Sequence, residues 1–237
     1  MNVKILYLYK NLLNLYGNVG NIMCLKRHLE ENGIEVSINA KESIKDVNLN
    51  DFDVIYMGAG TERSRNFAML DLIAKKDEIL NFSDSGKIIL ALGNSFEMLG
   101  ESITDINNKT YEGIALFPFT TEEIERRVVE DTVCSFTQIE SKIIGFMNKQ
   151  SKTLGCMNPL FNVISGAGNS RGDSGEGALY KNTFGTNLAG PILVRNPNFR
   201  EYIENKIYEL IGADKKAVSF ENELKAYQNS LNGLLTR

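Results

Sequence analysis

The feature that most constrains this chain is an alternation of period in its first hundred residues, where short β-prone apolar runs end in glycine or asparagine turns and pass into stripes of helical spacing. Val3 to Tyr9 is such a run, and after a loop at Tyr16 to Gly20 the residues Ile22, Leu25 and Leu29 recur three and four apart. Ile34, Val36 and Ile38 alternate as a half-buried strand does. Val54 to Met57 stops at Gly58-Ala59-Gly60, Asn66 to Leu80 reads as helix, and Lys87 to Leu92 breaks at Gly93-Asn94-Ser95 before a short helical stretch through Leu99. Strands alternating with helices predict an α/β fold with a mostly parallel sheet, helices on both faces and ligands beyond the carboxyl ends of the strands. The loops at Tyr16, Gly58 and Gly93 are therefore expected to converge.

From Tyr111 to about Leu188 the pattern changes to short β-like segments, among them Val128 to Cys134, Lys142 to Phe146 and Phe161 to Ile164, expected as further strands laid against the first sheet. Two amphipathic helices follow, one carrying Phe199, Ile203, Ile207 and Leu210, the other Phe220, Leu224, Tyr227, Leu231 and Leu234. Such stripes are core faces first and docking faces second. No linker composition interrupts the chain, so residues 1–237 are expected to form one domain.

Composition excludes several classes of function. The 26 basic and 30 acidic residues are dispersed, leaving a net charge of −4 and no basic stripe for nucleic acid. No window approaches the roughly 20 apolar residues of a membrane span, and the N-terminus lacks a secretion signal, so a cytoplasmic location is expected. Cys24, Cys134 and Cys156 are odd in number and widely spaced, which favours free thiols over a disulfide framework or a zinc site.

The strand, tight turn and helix around Gly93 form the context of a nucleophile elbow without its content. Gly93 has no side chain, and Ser95 needs a base. The single histidine, His28, lies on the first helix near Lys26 and Glu30 and reads as a surface residue. Lys149 is a conceivable base for Ser95, with nothing local to support the pairing. The glycine-rich stretch Gly166 to Gly177 fits no phosphate-loop spacing and reads as a mobile loop.

Six segments in order resemble class I glutamine amidotransferases of the cobyric acid synthase type, and within them the amidotransferase subunit of lipid II isoglutaminyl synthase. They are Leu13 to Ile22, Gly93 to Gly100, Glu125 to Val128, Gly145 to Asn148, Gly166 to Asn169, and Gly185 to Leu188 with Gly190-Pro191. The resemblance implies a flavodoxin-like three-layer α/β/α fold with extra strands in the second half, and no cofactor. It also implies that Gly58, Ala59 and Gly60 form the oxyanion loop, that Arg127 anchors a glutamine carboxylate, and that Asn94 and Glu97 line the pocket.

The departures from the family pattern carry the functional expectation. Gly93 stands where the family keeps its nucleophilic cysteine, Ala189 where it keeps the histidine base, and Lys149 at a position that is often histidine. Without a thiolate or a base, glutamine hydrolysis has neither of its steps. Glu97 replaces a family glutamine and is expected to bring negative charge to the pocket. The resemblance thus implies a non-catalytic subunit that forms a heterodimer with a Mur-ligase-like partner. The alternatives are altered chemistry at Ser95, Glu97, Arg127 and Lys149, or an amino-acid sensor built on Arg127.

Overall fold

The structure is a computed structural model, and it describes residues 1–215 and 220–236. The first half contains strands β1 (Asn2–Leu8), β2 (Glu35–Lys41), β3 (Val54–Met57) and β4 (Ile88–Leu92), with helices α1 (Val19–Glu31), α2 (Glu62–Leu72) and α3 (Lys76–Asp84) between them. β2, β1, β3 and β4 lie side by side in parallel register. Every residue of β3 and β4 is buried, as expected of parallel strands covered on both faces.

The expected helix over Asn66 to Leu80 is two helices. Thr61 caps the first by accepting from the Ser64 amide, which moves its start back to Glu62. A 3-10 turn at Ile73–Lys75 and a non-helical Lys75 separate it from α3.

The second half supplies β5 (Ser102–Thr104), β6 (Thr110–Glu112), β7 (Thr120–Phe136), β8 (Ile139–Leu154), β9 (Phe161–Ser165), β10 (Gly175–Glu176), β11 (Ala178–Tyr180), β12 (Thr183–Thr186) and β13 (Leu188–Ala189). Most of these do not extend the first sheet. β7 and β8 form a long antiparallel hairpin that organises a second sheet with β5, β6, β9, β10 and β13. Only β11 and β12 join the first sheet, where β12 runs parallel to β4. One apolar cluster runs from Val3, Tyr56 and Leu90 to Met147, Phe161 and Phe184.

Helices α4 (Ile192–Arg195), α5 (Pro197–Ile211) and α6 (Glu221–Leu235) close the chain. Phe199, Ile203 and Ile207 of α5 are core residues. α6 buries only Tyr227 and Leu231, against Val133 and Ile144 on the outer face of the hairpin, and the Tyr227 hydroxyl donates to the Lys142 carbonyl at 2.7 Å. His28 is not a surface residue. α5 and α6 bring Glu204 and Glu223 over α1, and His28 is buried with Nε2 3.0 Å from Glu223. No described helix is long and apolar enough to cross a membrane.

Candidate functional site

The three loops expected to converge do so at the carboxyl ends of β1, β3 and β4. The Leu15 amide donates to the Ala59 carbonyl at 2.8 Å. The Asn94 side chain clasps Gly60 from the other side, its Oδ1 accepting from the Gly60 amide at 2.9 Å and its Nδ2 donating to the Gly60 carbonyl at 2.8 Å. Side chains are excluded at two points of the Gly58–Gly60 loop by backbone: a Cβ on Gly58 would strike the Leu13 carbonyl, and one on Gly60 would lie 2.6 Å from that of Leu12.

Gly93 follows β4 directly and begins a 3-10 helix through Leu99. Its φ of +77° lies in the left-handed region, which glycine adopts without penalty. A Cβ at this position would lie 2.5 Å from Ala59 Cβ. Ser95, two residues on, is fully buried and donates to the carbonyls of Met57 and Leu92, so its hydroxyl ties the elbow to β3 and β4. Lys149 is also buried, with Nζ 2.5 Å from the Asn169 carbonyl, and burial pushes its ammonium below the ordinary range for lysine. The conceived Ser95–Lys149 pair therefore does not form, because each group is committed elsewhere.

Glu97 brings no free negative charge to the site. Its carboxylate meets Arg65 of α2 on one oxygen and the Ser151 hydroxyl on the other, and Arg65 also pairs with Glu123 at 2.5 Å. Both Arg65 and Glu97 are fully buried. Arg127, half-buried on β7, is held by Glu62 at 2.6 Å, Gln150 at 2.9 Å and Asn148 at 3.1 Å, so its guanidinium fork is filled by the chain's own side chains. Ala189 is buried on β13 and pairs with Phe146 of β8. The glycine-rich stretch is laced rather than loose: the Asn169 side chain exchanges two hydrogen bonds with the Gly177 backbone, and Ser170 and Asp173 are bonded to each other.

Residues 4–197 match the family model of the CobB/CobQ-like glutamine amidotransferase domain. The chain belongs to this family. It is 32% identical over 234 residues to the Streptococcus pneumoniae (strain ATCC BAA-255 / R6) protein "Lipid II isoglutaminyl synthase (glutamine-hydrolyzing) subunit GatD", covering 97% of this chain and 87% of the relative. It is 28% identical over 218 residues to the Staphylococcus aureus (strain N315) protein of the same name, covering 91% and 89%. Among solved structures, a glutamine amidotransferase superposes with a TM-score of 0.53 at 15% identity, over 88% of this chain and 99% of the other. The Trypanosoma brucei CTPS glutaminase domain with bound acivicin gives 0.50 at 8%, over 90% and 96%. At these identities the likeness is one of fold, and it is the class I amidotransferase fold expected from the sequence.

Within this family framework, Arg65 and Glu176 are two buried charged residues that the sequence does not signal. A charged residue in the first turns of a helix ordinarily faces solvent, and nothing local signals otherwise. The burial of Arg65 follows from carboxylates supplied by the elbow helix and by β7, 32 and 58 residues away in sequence. Glu176, on β10, has nearer partners but no more of a local signal. It is fully buried, accepts from the Thr186 hydroxyl at 2.6 Å and the Asn187 amide at 2.7 Å, and is pushed up from the usual carboxylate range by burial.

Proposed function

We propose that this chain is a non-catalytic amidotransferase-like subunit, kept for its shape and surfaces, that supports a Mur-ligase-like partner in modifying peptidoglycan precursors. The family membership and the GatD relatives support the subunit role. The observation that carries the catalytic silence is Gly93, a glycine at φ +77° on the buried elbow where the resemblance puts the nucleophile. Acyl transfer by this route needs a thiolate there and a base beside it, and the corresponding residues are Gly93 and Ala189. The chain's one histidine is bonded to Glu223 on the terminal helix.

Glu97 and Arg127 point the same way. Each would have to give up a partner within the chain before meeting a ligand. That weighs against both altered chemistry and an amino-acid sensor in this pocket.

The test is a glutaminase assay on the purified chain, alone and mixed with the Mur-ligase-like protein of the same organism, with co-purification of the two read in parallel. The expected result is complex formation with ammonia release at background. Release that survives repurification overturns the catalytic part, and failure to associate overturns the subunit part.

A further inference from the structure

We infer that Ala59 and Gly93 form a steric lock, so that Ala59, and not Gly93 alone, keeps the elbow closed to any side chain. The inference rests on reading the elbow as the vacated nucleophile position. A Cβ on Gly93 would approach Ala59 Cβ to 2.5 Å and its Cα to 3.2 Å. Carbon atoms in van der Waals contact need about 3.5–4.0 Å, so the overlap is close to a full ångström and one backbone must move.

Neither backbone is free to do so. Ala59 is 3% exposed, its carbonyl is held by Leu15, and its neighbours Gly58 and Gly60 lie so close to the carbonyls of Leu13 and Leu12 that a Cβ on either would strike them. Asn94 grips Gly60 through both of its backbone polar groups. On the other side, Ser95 fastens the elbow to β3 and β4, Glu97 fastens it to α2, and a Cβ on Gly185 of the neighbouring β12 would strike the Phe96 ring. The clash is therefore between two rigid segments. It cannot be relieved by swinging a flexible side chain aside, because the group in the way is a methyl fixed to its own backbone.

Deleting that methyl leaves the 3.2 Å approach to Ala59 Cα, which asks for a shift of a few tenths of an ångström. The lock has a second part on the chemical side. The Gly60 amide, a donor in the loop that the resemblance assigns to oxyanion binding, already donates to Asn94. Re-arming the elbow thus requires opening space at position 59 as well as adding a thiol at position 93.

The experiment is a double-mutant cycle built from Gly93→Ala and Ala59→Gly, read by thermal and urea denaturation of the full chain, with Gly93→Cys run in both backgrounds. The positive-φ strain at position 93 is the same whichever residue occupies position 59, so it cancels and the cycle isolates the contact. The expected result is a Tm fall of about 5 °C or more for Gly93→Ala in the native background, and a fall smaller by at least about 2 °C when Ala59 is glycine. If Gly93→Cys fails to fold in the native background, the alanine pair still decides the matter. Where it folds, alkylation of the introduced thiol, followed by peptide mass spectrometry, is expected to be at least ~10-fold faster in the Ala59→Gly background. Equal Tm losses in the two backgrounds overturn the lock. Glutamine hydrolysis by the native chain would overturn the proposed silence and leave the coupling between positions 59 and 93 unchanged, so the two readings fail separately.

Discussion

Arg65 is the residue whose removal tests the architecture of the site most directly. Its guanidinium is fully buried, donates to Glu97 and Glu123, and is steadied by two bonds to Asn66 Oδ1 at 3.0 and 2.8 Å. The two carboxylates have side-chain exposures of 1% and 8%. Arg65→Ala leaves both in a dry seam between α2, the elbow helix and β7 with no cation between them, and breaking a buried pair in this way costs about 3–5 kcal/mol. In a chain of this length each kcal/mol moves Tm by about 2–4 °C, so the expected fall is on the order of 6–20 °C. The penalty comes from burying uncompensated charge. Replacing both partners, Arg65→Met with Glu97→Gln, should cost clearly less than the sum of the single changes, because no unpaired charge remains at Glu97. The assay is urea denaturation of the single and double variants. A loss under about 1 kcal/mol for Arg65→Ala, or a double change as costly as the sum of the single ones, would refute the view that this cluster holds the elbow by charge pairing.

Three further outcomes are expected. Asn94→Ala strips Gly60 of both side-chain partners and should cost about 1–3 kcal/mol in urea denaturation, since a buried amide is left to find water; an unchanged midpoint would show that the clasp is dispensable. Burial pushes the Glu204 carboxyl up to about 7, against the pull of Arg200, from an ordinary 4.5. Because the folded value is the higher one, the stability it contributes is full below about 4.5 and lost as pH rises through about 7. Native stability relative to Glu204→Gln should accordingly fall between pH 4.5 and 8 by on the order of 3 kcal/mol, and a flat difference across that range would count against a buried Glu204. Leu231→Ala removes one of the two side chains that α6 buries, so amide exchange in α6 should accelerate at least ~10-fold while the core strands keep their protection; uniform acceleration would mean that α6 is part of the global folding unit.

How legible the molecule was in its sequence depended on the range of the interactions involved. The alternation of periods predicted the parallel arrangement of β1 to β4, because burial on both faces leaves continuous apolar runs such as Ile88–Leu92. β7 and β8 run well beyond the apolar segments at Val128 to Cys134 and Lys142 to Phe146. Their 17 and 16 residues carry charges such as Glu122, Glu125 and Arg126 along the solvent side, which breaks an apolar run without breaking a strand. His28 is buried against the expectation from its helix, because a helix sequence shows its own face and not what will be laid across it; the covering acids come from α5 and α6.

By itself the sequence determined the alternation of strands and helices over the first hundred residues and the family to which the chain belongs, and it is the resemblance that reads Gly93 and Ala189 as the vacated nucleophile and base positions; all of these depend on residue identity and near-neighbour periodicity. Only the tertiary structure decided what became of the space. The Ala59 methyl faces the elbow across the sheet ends, Asn94 answers Gly60, Glu62 fills Arg127, and Arg65 neutralises Glu97. Each of those pairings depends on where sheet register and helix packing bring distant segments together, and such proximity leaves no local trace in the chain.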